Sequence, residues 1–241
     1  MLSEFIDKIV SLSTPVRVTL EDDGKKRYYN RRFYPIGNET PEPLVLGTLT
    51  GIVDYLGANK DGLDFKDLMI HVKSYDRVFI KSKIINGFQQ RHTYAVAEFN
   101  ISEFPFGDWM QSEDFIIKLQ TLFRPTADLE ALLKLVGNIR DEQVKTVTDD
   151  GVSQQVTAAV GLAKVKDVRV PNPVILKPVR TFPEIAQPAA PFVCRLKRGT
   201  QETPLCSLHE CDGGQWELDA IESIATWLKK KIGSVSASVI R

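Results

Sequence analysis

The chain reads as an α+β fold, mainly antiparallel sheet in meanders and hairpins, with a central helical hairpin and a C-terminal helix. Three observations predict it. Three β-rich runs lie close together, broken only by Ser74-Tyr75-Asp76 and Asn86-Gly87. Two helical stripes meet at Pro125, and a last stripe ends in three lysines and a glycine. At 241 residues the chain is near the upper limit of one core, so a closely packed body over 44–241 with an N-terminal arm over 1–43 is expected.

Taken in order, Ser3 can cap a short helix in which Phe5, Ile6, Ile9 and Val10 recur at helical spacing, and Pro15 ends it. Val16, Val18 and Leu20 then alternate as a strand, Asp22-Asp23-Gly24 supplies a turn, and Arg27 to Tyr34 returns as the second arm of a hairpin. After Pro41 and Pro43, the stripe Leu49, Ile52, Val53 and Leu56 predicts a helix that Gly57 closes from the left-handed region. The meander follows over Leu68–Lys73, Arg77–Ile85 and Thr93–Phe99.

Ser112, with Glu113 and Asp114 behind it, marks a helix start, because a serine oxygen can accept a free backbone N–H and the acids complement the dipole. A second helix begins near Thr126 and carries Leu129, Leu132, Leu133 and Val136 on one face. Strands return at Val144, turn at Asp149-Asp150-Gly151, and alternate through Val156, Ala158 and Val160. Six prolines between 170 and 191 predict an extended arm along a sheet edge, anchored by Val174, Ile175, Leu176, Phe182 and Ile185. Phe192–Leu196 and Thr203–Cys211 read as paired strands. Leu218, Ile221, Ala225 and Leu228 read as one face of a last helix, and Val235–Ile240 as a closing strand.

Composition narrows the function classes. Lysine plus arginine equals aspartate plus glutamate at 31 each, so no global field draws the protein to nucleic acid or an anionic membrane. No apolar run is long enough for a membrane span, and acids stand among the apolar positions of the first ten residues, so neither a span nor a signal peptide is expected. Three cysteines, Cys194, Cys206 and Cys211, make an odd and sparse set that fits free thiols in a reducing compartment.

Several groups invite a chemical reading and are set against a plainer one. Cys206, His209 and Cys211 suggest a metal, but on a strand residues 206 and 211 point to opposite faces, so buried or surface thiols are preferred and neither metal nor cofactor is expected. His209 and Cys211 share a face, yet a nucleophile also needs an orienting group and an oxyanion hole, which the sequence does not place. His71 in an apolar strand and His92 in a polar turn read as structural residues. Asp22/Asp23 and Asp149/Asp150 each precede glycine, which is turn chemistry. No phosphate loop, dinucleotide glycine pattern or nucleophile elbow is present, so a non-enzymatic protein is expected.

One surface stands out. Between Lys25 and Tyr34, five cations (Lys25, Lys26, Arg27, Arg31, Arg32) interleave with four aromatics including Tyr29, the mixture that binds single strands by neutralising phosphates and stacking bases. Arg77, Lys81 and Lys83 could extend it. A half-buried hairpin or a subunit contact is the plainer reading of the same residues.

The segments FPFGDWMQSEDFIIKLQTLF (104–123), LLKLVGNIRDE (132–142), DDGVSQQVTAAVG (149–161), VPNPVILKPVRTFPEIAQPAAPFVCRL (170–196) and CDGGQW (211–216), in that order, resemble the YfdQ-like family of phage and prophage proteins of unknown function. The likeness spans about residues 45 to 240 and leaves out the N-terminal hairpin. It implies a phage-encoded protein in the bacterial host cytoplasm, with no activity to carry over. The expected role is a homo-oligomeric assembly or interaction scaffold. The alternatives are a single-stranded nucleic-acid-binding factor in phage replication or recombination, and an antagonist of a host defence system.

Overall fold

The computed structural model describes residues 2–13, 18–22, 25–29, 35–36, 42–84, 90–100, 102–140, 143–149, 154–160, 164–170, 172–199, 204–233 and 237–241. Its contacts divide the chain into two units, Met1–Glu42 and Pro43–Arg241. The first holds helix α1 (Leu2–Ser13) and an antiparallel sheet of β1 (Val18–Asp22), β2 (Lys25–Tyr29) and β3 (Pro35–Ile36). Phe5, Ile6 and Ile9 follow the helical period of α1, and all three are exposed. The basic strand starts at Lys25 rather than Arg27, paired from Lys25↔Asp22 to Tyr29↔Val18; residues 30–34, over which it was expected to continue, lie outside the described residues.

The second unit runs β4 (Leu44–Leu46), α2 (Leu49–Ala58), β5 (Leu68–Ser74), β6 (Arg77–Ser82), β7 (Thr93–Glu98), β8 (Met110–Gln111), α3 (Ser112–Leu122), β9 (Phe123–Arg124) and α4 (Ala127–Arg140). It continues with β10 (Gln143–Asp149), β11 (Gln154–Val160), β12 (Lys164–Val170), β13 (Val174–Pro178), β14 (Ala190–Arg198), β15 (Pro204–Glu210), α5 (Gln215–Ile232) and β16 (Ser238–Ile240). The fold is α+β, with mostly antiparallel sheets. Among the described residues, no helix is long and apolar enough to cross a membrane.

Two five-stranded sheets each build a core against two helices. The first has the order β16-β5-β6-β7-β4, with β16 and β4 parallel to their neighbours. Its strands alternate, so Leu68, Ile70, Val72, Val78 and Ile80 turn inward onto Leu49, Ile52 and Leu56 of α2 and Ile224, Ala225 and Leu228 of α5. The second is β8-β15-β14-β13-β9, whose Val174, Leu176, Phe192, Cys194, Leu196, Cys206 and Leu208 pack on Phe115 and Leu119 of α3 and Leu129, Leu132 and Val136 of α4. The meander β10-β11-β12 passes against β14 and α4. Its third strand, Lys164–Val170, was not expected from the sequence.

Several boundaries differ from expectation for local reasons. Asn59, not Gly57, takes the left-handed position after α2, at φ 39°, and its side chain bonds both Leu63 N and Leu63 O. The glycine that α2 does need is Gly51, where a Cβ would lie 3.3 Å from Leu46 Cβ. Gln111 precedes α3, so Ser112 is its first helical residue rather than its cap, whereas Thr126 Oγ1 does cap α4 by accepting from Leu129 N at 3.1 Å. Leu218 is exposed: the inward row of α5 is Trp216, Ala220, Ile224 and Leu228 at four-residue steps, and Leu218 lies about 200° around from Trp216.

The proline-rich segment is not an edge arm. β13 lies between β14 and β9, and residues 179–189 then strap across to the other core, where Phe182 is fully buried 5.7 Å from the Phe99 ring. Pro173 precedes the strand and Pro178 ends it, and of the expected anchors Val174, Leu176, Phe182 and Ile185 are buried while Ile175, on the other face of the strand, is exposed.

Candidate functional site

Strand alternation gives the first sheet a second face, opposite α2 and α5. Met69, His71 and Lys73 of β5 and Arg77, Phe79 and Lys81 of β6 occupy it, since their neighbours point inward. His71 stands opposite Phe79, with ring centroids 6.4 Å apart. Lys81 Nζ lies 4.9 Å and Lys73 Nζ 5.8 Å from the centre of the Phe79 ring, a cation–π arrangement on a half-buried ring. Neither lysine has a carboxylate partner among the described residues, whereas Arg77 pairs with Glu98 at 3.7 Å and Lys83 with Asp67 at 2.7 Å. Burial pulls the His71 imidazole below its ordinary pKa, and Lys81 and Lys73 add to the effect, so the ring is neutral at pH 7.

A second arrangement lies where the two cores meet. Tyr75, from the β5–β6 turn, reaches the second core and tilts against Trp216 of α5 at 4.7 Å. The Arg180 guanidinium stacks on Trp216 at 3.6 Å, lies 5.7 Å from Phe192 and forms an ion pair with Glu210. The Arg180 side chain is 7% exposed, and its Nε and Nη2 have no hydrogen-bond partner among the described residues. Burial pulls its pKa down, opposed chiefly by Glu210 and then by Asp212 and Glu217. Beside it opens a cleft of about 210 Å³, lined in part by Glu103, Phe106, Glu210 and Glu217.

Arg180 thus takes the place of a bound cation among aromatic rings with acids around them, and forms one wall of the open cleft. It is read as a fastening between strap, strand and helix. The same strap is held at Gln187, whose Oε1 accepts from Arg180 N and Thr181 N and whose Nε2 donates to the carbonyls of Thr181 and Phe182. Thr181 Oγ1 donates to Tyr75 O.

The basic patch read from the sequence is brought together only in part. Lys25, Lys26, Arg27 and Tyr29 lie on β2, where the register sets Lys25 opposite Asp22 and Lys26 opposite Glu21. Arg31 and Arg32 lie outside the described residues. Of the suggested extension, Arg77 and Lys81 share the sheet face, while Lys83 is tied to Asp67. Phe79 and Lys73 were not singled out beforehand, and His71 was expected only as a structural residue; the signal was the alternation of Arg77, Phe79 and Lys81 with Val78 and Ile80. No local signal could have found Arg180 with Trp216, which are far apart in the chain.

Cys194 and Cys206 are fully buried on neighbouring strands and Cys211 is exposed beyond the end of β15. Burial pushes the Cys194 thiol up to about 12, and Cys206 higher still. The His209 ring is engaged by Ser207, with Nε2 and Oγ 3.0 Å apart. No three histidine, cysteine or acidic side chains gather around a metal-sized space among the described residues. Compared with known proteins, the chain matches no family model, no curated protein and no solved structure.

Proposed function

We propose that this protein catalyses no reaction and acts as a self-associating scaffold, made by a phage or prophage in the cytoplasm of its bacterial host. The observation that carries this reading is the exposed stripe of Phe5, Ile6 and Ile9 on α1. Short helices are marginal in water and persist mainly by burying an apolar face. The occupant that suits this stripe is α1 of a second copy. Glu4 and Asp7 stand on the opposite side of α1, so packing the stripe on a second copy does not bury them, and a chain with 31 charges of each sign carries no net repulsion. Exposed Leu44 and Val45 on the edge strand β4 add a second self-complementary feature. Among the described residues, Ser207 with His209 pairs a hydroxyl with an imidazole, and Ser207 is fully buried, which supports the non-catalytic reading. The phage setting rests on the resemblance of the ordered segments between 104 and 216.

Oxidative crosslinking tests the contact. With Cys211→Ser removing the exposed native thiol, Ile6→Cys should give a disulfide-linked dimer in high yield, and a chain that stays monomeric on oxidation rejects the α1 pairing. A second reading is single-stranded nucleic-acid binding, favoured by Phe79 between Lys73 and Lys81 on the sheet face and by the cations of β2.

A further inference from the structure

The ladder registers of the first sheet align one transverse row across all five strands: Ile240 stands opposite His71, His71 opposite Phe79, Phe79 opposite Val96, and Val96 opposite Val45. At ordinary strand spacing the row is about 19 Å long. Its two ends are open, with Ile240 41% and Val45 72% exposed; Phe79 at its centre is half-buried, and Val96 beside it is 7% exposed. Cations stand on both sides of the row. On one side Lys81 lies between Met69 and Thr93; on the other are Lys73 and Arg77, with Glu98 as the acid that offsets Arg77. Both helices packed on this sheet lie on its opposite face.

We infer that this row is a binding platform for a single-stranded nucleic acid, with a base stacked on Phe79 and the flanking phosphates taken by Lys73 and Lys81. The inference rests on the nucleic-acid reading above and names its site. A sheet face with a half-buried ring at its centre offers a π-face to an unpaired base, which a duplex keeps inside its own stack. The two lysines now resting on the Phe79 ring are long and flexible enough to move to phosphates on either side of a stacked base. His71, neutral and beside the ring, can donate to or accept from a base edge. An apolar protein partner suits the face less well, since Lys73 and Lys81, which have no carboxylate partner among the described residues, would have to be desolvated against it.

The test is fluorescence anisotropy of a labelled oligothymidylate of about 16 nucleotides, titrated with the full chain over a range of salt. The intact protein should bind it in preference to duplex of the same length. Phe79→Leu, which keeps the apolar contact and removes the stacking face, should weaken binding by about tenfold with an unchanged circular dichroism spectrum. Lys73→Gln with Lys81→Gln should lower the salt slope by about 1.4.

If the intact protein binds while these variants bind equally well, and Arg27→Ala with Arg31→Ala and Arg32→Ala abolishes binding, the platform is wrong and the nucleic-acid reading survives on the hairpin. If the intact protein does not bind, both fall. If Phe79→Leu shifts the elution volume and leaves affinity unchanged, the face belongs to a subunit contact and the inference is overturned.

Discussion

At the residue scale, burial sorts three identical thiols into different chemistries. Cys211 is exposed, while Cys194 and Cys206 lie in the second core where a thiolate is strongly disfavoured. At pH 8 a maleimide should therefore modify one cysteine in the native protein, at Cys211, and three after unfolding, as counted by mass spectrometry. The same burial fixes a pH dependence. A thiol whose folded pKa is raised stabilises the fold fully below its unfolded value near 9, and that stability is lost as pH rises toward the folded value. For Cys194, with a folded value of about 12, the loss at pH 10 is about 1.4 kcal/mol. Urea unfolding at pH 8 and pH 10 should show a difference that shrinks by this amount in Cys194→Ala; an unchanged difference would contradict the burial.

At the element scale, the strap over 179–189 ties the two cores of the second unit, because Phe182 sits in one while β13 and β14 on either side belong to the other. Gln187 satisfies four backbone groups of that strap from one buried amide. Gln187→Ala should cost about 3 kcal/mol, since buried N–H and C=O groups lose partners together, measured as a lower urea midpoint at unchanged slope. Loss below about 0.5 kcal/mol would show that water replaces the amide.

The strap also marks where the sequence stops being readable. Helices α2, α4 and α5 and strands β5, β6 and β7 were legible because burial of one face leaves a period of 3.6 or 2 in the chain. The proline segment was legible as extended but not in its place, since proline density says nothing of whether Phe182 turns toward solvent or a distant core. Leu218 shows a similar limit: of the expected face Ala225 and Leu228 are buried and Ile221 packs on the core, whereas Leu218 is exposed and Trp216, Ala220 and Ile224 complete the buried side. Of the candidate site, Arg77 and Lys81 were legible by charge, but Phe79 and His71 gained meaning only through register, which aligns them across strands that no local pattern relates.

At the scale of the whole molecule, two kinds of exposed feature among the described residues bear on partners. The α1 stripe and edge strand β4 are apolar and exposed, suited to a second copy of the chain, and the open face of the first sheet mixes one aromatic ring with cations. The central claim is that the chain self-associates. The measurement that tests it most directly is multi-angle light scattering on the purified full chain during size-exclusion chromatography, at two protein concentrations. The account predicts one discrete species at an integer multiple, greater than one, of 27.1 kDa, which returns to a single chain when Phe5 and Ile9 are both replaced by glutamate. A species of 27.1 kDa at both concentrations would contradict it.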